Sequence, residues 1–245
     1  MISALEKEIT LRYLKTRKKD GFLNVISIFS FIGISLGVAV LIIVMSVMNG
    51  FRSELINKIV GFNAHVTVKP YESPISLDQL NNENLKLISE ELILSNSGEA
   101  IVISKDYTKG LILRGYSNEN FLKLDVVKKG NLIGKSNQLT KNSISIGKEL
   151  SFNLDLSVGD KVSIMSPVGI ETIIGSLPRQ ETFIIRSIFD SGLADFDANI
   201  AFINLYTLEN FFSYKKEKRN LEIYLNSPSN IEEAKSKIQK IFKNE

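Results

Sequence analysis

From Val25 to Met48 the chain reads VISIFSFIGISLGVAVLIIVMSVM, 24 positions without one charged side chain. At about 1.5 Å per residue a helix of this length reaches about 36 Å, enough to cross a hydrocarbon core of ~30 Å with some tilt. A signal peptide has a shorter apolar region, ~7 to 15 residues, and ends in a small-residue cleavage site. This run instead flows into Asn49, Gly50, Phe51 and Arg52, so the pattern predicts a retained transmembrane helix over 25–48. Val47, Phe51, Leu55, Ile56 and Ile59 keep a helical period, which carries the helix a few turns past the membrane surface. Upstream, Ile2, Leu5, Ile9 and Tyr13 recur at helical spacing within 1–24, as in a helix lying on the inner leaflet.

After residue 63 the pattern breaks into short alternations and amphipathic segments. AHVTVKP alternates Ala64, Val66 and Val68 with His65, Thr67 and Lys69, the period of a half-buried strand. Ser76 to Leu92 reads as a helix capped by Ser76, with Leu77, Leu80, Leu85, Ile88 and Leu92 near one face. Strands are predicted at 100–104, 110–114, 143–146, 161–165, 182–189, 198–203 and 221–225, with short helices at 118–124 and 147–154. Two more helices cover 205–212 and 231–242, the latter carrying Ile231, Ala234, Ile238 and Phe242 at spacings of three and four. The predicted fold class is α+β: one N-terminal transmembrane helix, then a mixed domain over 49–245.

Charge orients this arrangement. Arg12, Lys15, Arg17, Lys18 and Lys19 precede the span with only Asp20 among them, whereas Arg52, Glu54 and Lys58 follow it. The positive-inside rule places the N-terminus in the cytoplasm and residues after Met48 outside, which is the periplasm if the cell is Gram-negative. The net charge of +3 is too small and too mixed to mark a nucleic-acid surface. With no cysteine and His65 alone, disulfides, thiolate sites and histidine-rich metal sites are excluded.

Three motifs resemble chemistry and fail on context. GISLG spells GxSxG, but a serine in mid-bilayer cannot sit on a strand-to-helix elbow. GNLIGKS has three residues between its glycines where a phosphate loop needs four. Asp190, Asp195 and Asp197 match no cation-loop spacing and read as a solvated turn. No catalytic residue, metal site or cofactor is therefore predicted. Gly33 and Gly37 form a GxxxG pair inside the span, which lets a second transmembrane helix approach closely.

One connection is out of character. Pro167 to Glu181, within SPVGIETIIGSLPRQETF, is 15 residues long, whereas hairpin connections usually take ~2 to 5. It carries Val168, Ile170, Ile173, Ile174 and Leu177, too apolar a set for disorder. Either these side chains fold back onto the chain's own sheet, or the segment is an arm that offers them to a partner.

Four stretches, LRYLKTRKKD, SIFSFIGISLGVAVLIIVMSVMNGFRSEL, IGKELSFNLDLSVGDKVSIMSP and TIIGSLPRQETF, resemble the permease subunits of the bacterial lipoprotein-releasing transporter. This is the LolC and LolE family, within the MacB-like class of ABC transporters. The resemblance implies an inner-membrane protein that hydrolyses no ATP itself and holds no cofactor. Its implied partners are a LolD-like cytoplasmic ATPase, a second permease subunit, an acylated lipoprotein substrate and a LolA-like soluble carrier. It implies a Porter-like part over 63–104 and 190–245, with a β-rich Sabre-like insertion over 105–189. Val40, Val44, Val47, Met48 and Phe51 then fall on a helix face that contacts acyl chains or ordinary lipid. The segment 167–181 matches the carrier-binding hairpin of LolC-type subunits, called the Hook. Pro167, Val168, Ile170, Ile173, Ile174, Gly175, Leu177, Pro178 and Gln180 are its candidate contacts.

The chain departs from that pattern twice. Ser163 and Glu181 stand where the family suggests arginines, with Arg179 and Arg186 nearby. Members also carry about four transmembrane helices, and this chain has one candidate, which reads as the N-terminal portion of a permease. A membrane-anchored periplasmic scaffold or hydrolase and an efflux permease of the MacB type stay open as alternatives.

Overall fold

The computed structural model describes residues 4–14, 21–71, 73–104, 107–129, 132–134, 138–172 and 175–242. The chain divides into two compact units, Met1–Leu55 and Ile56–Glu245. The first holds α1 (Ala4–Leu14) and most of α2 (Gly21–Phe62). Within residues 25–56 of α2 the most apolar 18-residue window has a mean hydropathy of 2.8 and none of it is buried, so by length and composition this helix is able to span a membrane. The helix continues past Met48 to Phe62, as the apolar period through Ile59 predicts. Ile2 and the basic run Lys15, Arg17, Lys18 and Lys19 lie outside the described residues, and Leu5 and Ile9 of α1 are exposed.

The second unit begins with β1 (Val66–Val68), α3 (Leu77–Leu80), α4 (Glu83–Ile88), β2 (Ser89–Ser104) and β3 (Tyr107–Tyr116). The single helix expected over Ser76–Leu92 is a correction. Ser76 does cap, in a reciprocal capping box with Gln79, but the helix stops at Asn81 and Asn82 caps a second one. From Ser89 the chain is strand, not helix. Next come α5 (Asn118–Phe121), α6 (Asp125–Lys128), β4 (Leu132–Gly134), β5 (Ser143–Gly147), α7 (Lys148–Asn153), β6 (Lys161–Thr172) and β7 (Gly175–Phe189). The chain ends with α8 (Ala194–Asn199), β8 (Ile200–Asn204), α9 (Leu205–Phe212), β9 (Asn220–Leu225) and α10 (Ile231–Ile241).

Among the described residues the strand pairings close into a ring. β2 pairs β3, β3 pairs β8 in parallel, β8 pairs β5, β5 pairs β7 in parallel, β7 pairs β6, and β6 returns to β2. A six-stranded barrel results, which removes the exposed edges an open sheet of these strands would carry. Alternation fills it: Val102, Leu111, Ile144, Ile164, Ile185 and Ile203 belong to one buried cluster, joined by Leu208 and Phe211 of α9 and by Leu150, Leu154 and Leu156 of the α7 region. β2 is long enough to serve two partners, because its first half pairs β9 and its second half pairs β3. β9 and β1 extend the sheet beyond the barrel, and α4 and α10 cover that extension through Leu85, Ala234 and Ile238.

Two details fix the barrel's outer wall. Gly147 is obligatory, since a Cβ there would overlap the backbone of Asp197. The turn expected around Asp190, Asp195 and Asp197 is therefore a correction as well. Asp195 is exposed in the first turn of α8, but Asp197 is buried and accepts from the backbone N–H of Ser191 at 3.0 Å.

Candidate functional site

The 15-residue connection is not a loop; it is the far end of the β6–β7 hairpin. Near the barrel the two strands pair from Lys161↔Ile184 to Met165↔Gln180, and beyond it from Gly169↔Pro178 to Thr172↔Gly175. Between these ladders Ser166, Pro167 and Val168 of β6 face Arg179 alone on β7. A bulge of this kind bends the ribbon and re-aims everything distal to it. Pro167 and Pro178 break the hydrophobic alternation and supply no N–H to a ladder, which hides the strands from the sequence pattern.

Distal to the bulge, residues 169–172 and 175–178 pair only with each other among the described residues. Barrel strands β2 and β5 flank the root of the hairpin and do not reach the arm. Leu177 is 58% exposed, and Pro167, Gly175, Pro178 and Gln180 are also exposed. Val168 and Ile170 lie on the arm, with their side chains outside what is described, and Ile173 and Ile174 fall outside the described residues. The expected contact residues that are described thus lie on one two-stranded hairpin.

The arm's root divides into two faces. Outside the barrel, the Oγ of Ser163 and the Oγ1 of Thr182 lie 3.3 Å apart, with Gln180 exposed in the same alternating register. Glu181 alternates with them and follows the inward register of Phe183 and Ile185. There its Oε1 accepts from the Arg179 Nε at 3.1 Å, and the Arg179 guanidinium also donates to the carbonyl of Asn210 near the end of α9. Arg186 is exposed at the irregularity where β7 passes β5. Neither Ser163 nor Glu181 places positive charge on the outer face.

In the first unit, Val40, Val44, Val47, Met48 and Phe51 lie along one helical face, each at least half exposed. A Cβ at Gly33 or Gly37 would meet nothing within 4 Å, so that face is open to close approach by another helix.

A buried ionic network escapes the sequence pattern. Glu222 on β9 accepts from Ser95 Oγ at 2.6 Å, from Arg114 at 3.0 Å and from Tyr116 Oη at 3.0 Å. Arg114 also donates to Asn63, just past α2, at 3.2 Å and lies over the Phe62 ring. Burial disfavours the Arg114 charge, but Tyr116, Glu222 and Tyr224 outweigh it and hold the guanidinium more firmly protonated than usual. Burial pushes the Tyr116 and Tyr224 phenols upward, so both stay neutral donors. His65, on the polar side of the AHVTVKP alternation, is half-buried, and its Nδ1 accepts from the Leu225 N–H at 2.7 Å. Charged residues on strands give no periodic signal, so only three-dimensional pairing reveals this set. Among the described residues, no group of three or more metal-ligating side chains converges.

Comparison with known proteins bears on the whole arrangement. A family model described as the MacB-like periplasmic core domain matches residues 27–241. The lipoprotein-releasing system transmembrane protein LolC of Neisseria meningitidis serogroup B is 30% identical over 242 residues, covering 93% of this chain and 56% of that protein. The protein of the same name from Xylella fastidiosa (strain Temecula1) is 28% identical over 214 residues, covering 85% and 51%. The chain spans about half the length of these relatives. Among solved structures, the extracellular domain of the noncanonic ABC-type transporter YknZ from Gram-positive bacteria aligns with a TM-score of 0.42 at 14% identity, over 71% of this chain and 94% of that one.

Proposed function

The chain belongs to the family described by the MacB-like periplasmic core domain, and from that premise we propose that it works as a permease subunit of a lipoprotein-releasing ABC transporter. In this reading α2 crosses the bacterial inner membrane with its N-terminus in the cytoplasm, and the second unit stands in the periplasm. ATP hydrolysis belongs to a separate LolD-like subunit, and a second permease packs on the Gly33 and Gly37 face. The face of Val40, Val44, Val47, Met48 and Phe51 meets the acyl chains of the lipoprotein. Residues 105–189 form the inserted Sabre-like part, its barrel completed by β2 and β8 from the flanking Porter-like segments 63–104 and 190–245.

One observation carries the reading: an arm of paired strands that leaves the barrel and makes no described strand pairing except with itself. Its apolar, exposed Leu177 and Pro178 suit capture of a LolA-like soluble carrier through side-chain contacts. The test is retention of the purified LolA-type carrier on the immobilised full chain in detergent. Deleting residues 168–177, or Pro178→Arg, should abolish retention and leave the circular dichroism spectrum unchanged. Undiminished retention would overturn the proposal.

A further inference from the structure

Resting on the reading of the hairpin as a carrier-capturing arm, we propose that Arg179 is the positioning residue that sets the arm's direction, and that Glu181 is its internal counter-ion, not a docking charge. Arg179 is the one β7 residue opposite the three-residue bulge of Ser166, Pro167 and Val168, so it sits where the ribbon leaves the barrel. A bulge supplies bend without fixing the angle, because its extra residues leave the ladder. Something outside the ladder has to hold the ribbon on its far side.

Arg179 is placed to do that. Its Nε and a terminal nitrogen both reach Glu181 Oε1, at 3.1 and 3.0 Å, which ties the bend to the regular part of β7. The remaining terminal nitrogen donates to the Asn210 carbonyl, one of the last carbonyls of α9, where a helix end favours a cation. α9 is itself anchored: Phe211 is buried edge-on against Phe183 at 6.4 Å, and Glu209 grips Arg219 with both oxygens. A planar guanidinium serves all these acceptors at once, which an ammonium cannot do with the same geometry. The bend therefore rests on a fixed plug of the barrel. Glu181, held on this inner side, presents no carboxylate to the face of Ser163 and Thr182.

Because the chain has no cysteine, spin labels placed on Leu177→Cys and Phe152→Cys report the arm's angle against α7 in the full chain in detergent. The parent should give a narrow distance distribution by double electron–electron resonance. Arg179→Met, which keeps the stem and removes the donors, should broaden it at least twofold, and Arg179→Lys should restore part of the sharpness. A distribution as narrow in Arg179→Met as in the parent would overturn the assignment. Carrier retention, measured on the same substitutions in the unlabelled chain, separates the two ideas. If Arg179→Met broadens the distribution and retention is unchanged, the positioning role stands and capture does not depend on the arm's direction; retention unchanged on deleting residues 168–177 as well makes the carrier-capture reading fall while the positioning role stands.

Discussion

Three arginine–glutamate pairs are described in the second unit, and two of them, Arg114–Glu222 and Arg179–Glu181, differ chiefly in their surroundings. Arg114 and Glu222 meet with side chains 12% and 8% exposed, whereas Arg179 and Glu181 meet with 30% and 34% exposed. The first pair is enclosed by Ser95, Tyr116 and Tyr224, which fill the acceptor sites of the carboxylate. The second is open to water on one side and, among the described residues, has one further partner, the backbone carbonyl of Asn210. Desolvation makes the buried pair indispensable once formed, while screening leaves the rim pair nearly neutral for stability. What the rim pair contributes is direction, and what the buried pair contributes is the joint between β9, β3 and the residues that follow α2.

The largest effect should come from breaking the buried pair. Arg114→Met leaves Glu222 uncompensated and should cost about 3–5 kcal/mol in urea unfolding of the second unit. Arg114→Met combined with Glu222→Leu should recover much of that loss, because no orphaned charge remains. A loss below about 1 kcal/mol in the single variant would erase the contrast between the two pairs. Gly147→Val should follow, at about 1–3 kcal/mol, since its side chain has to displace the backbone at Asp197. Both losses would be read as a lower unfolding midpoint.

A smaller effect depends on pH. Burial lowers the His65 imidazole below its ordinary 6.5, against the opposing pull of Glu90 and Asp125. The folded state thus favours the neutral ring, whose Nδ1 accepts the Leu225 N–H. Stability from this contact is complete above pH 6.5 and declines as pH falls through the depressed folded value. His65→Ala should flatten the dependence, and an equally steep pH profile in that variant would exclude the imidazole as its source.

What was legible in the sequence follows the physics of each element. The spans 205–212 and 231–242 match α9 and α10 closely because their apolar residues recur with the helical period. The strand halves near the barrel, 161–165 and 182–189, are legible for the same reason with a period of two. SEELILSNSGE, the first part of β2, carries its apolar residues as one block, Leu92, Ile93 and Leu94, with no period of two, and it follows a well-capped helical turn, so the pattern predicts a helix through Leu92, which Asn81 and Asn82 break. The arm hides because Pro167, Gly169, Gly175 and Pro178 are residues that usually mark turns. Arg179 hides for another reason: its role depends on Asn210, 31 positions away.

The smallest effect on stability belongs to the arm itself, and it sharpens the comparison most. Residues 169–172 and 175–178 pair with neither β2 nor β5, so their ladder stabilises only the arm. An isolated two-stranded ribbon is marginal in water. Replacing 168–177 with a two-residue Asn-Gly turn should therefore change the unfolding free energy by less than about 0.5 kcal/mol, the range of substitutions remote from buried features. Arg179→Met should fall in the same range, because exposed ion pairs contribute about 0–1 kcal/mol. A loss of several kcal/mol on shortening would mean that the apolar arm packs on the barrel as part of its core. Its exposed Leu177 would then no longer be a surface offered to a partner. No loss, together with lost carrier retention, is the combination expected of a segment kept for binding and not for folding.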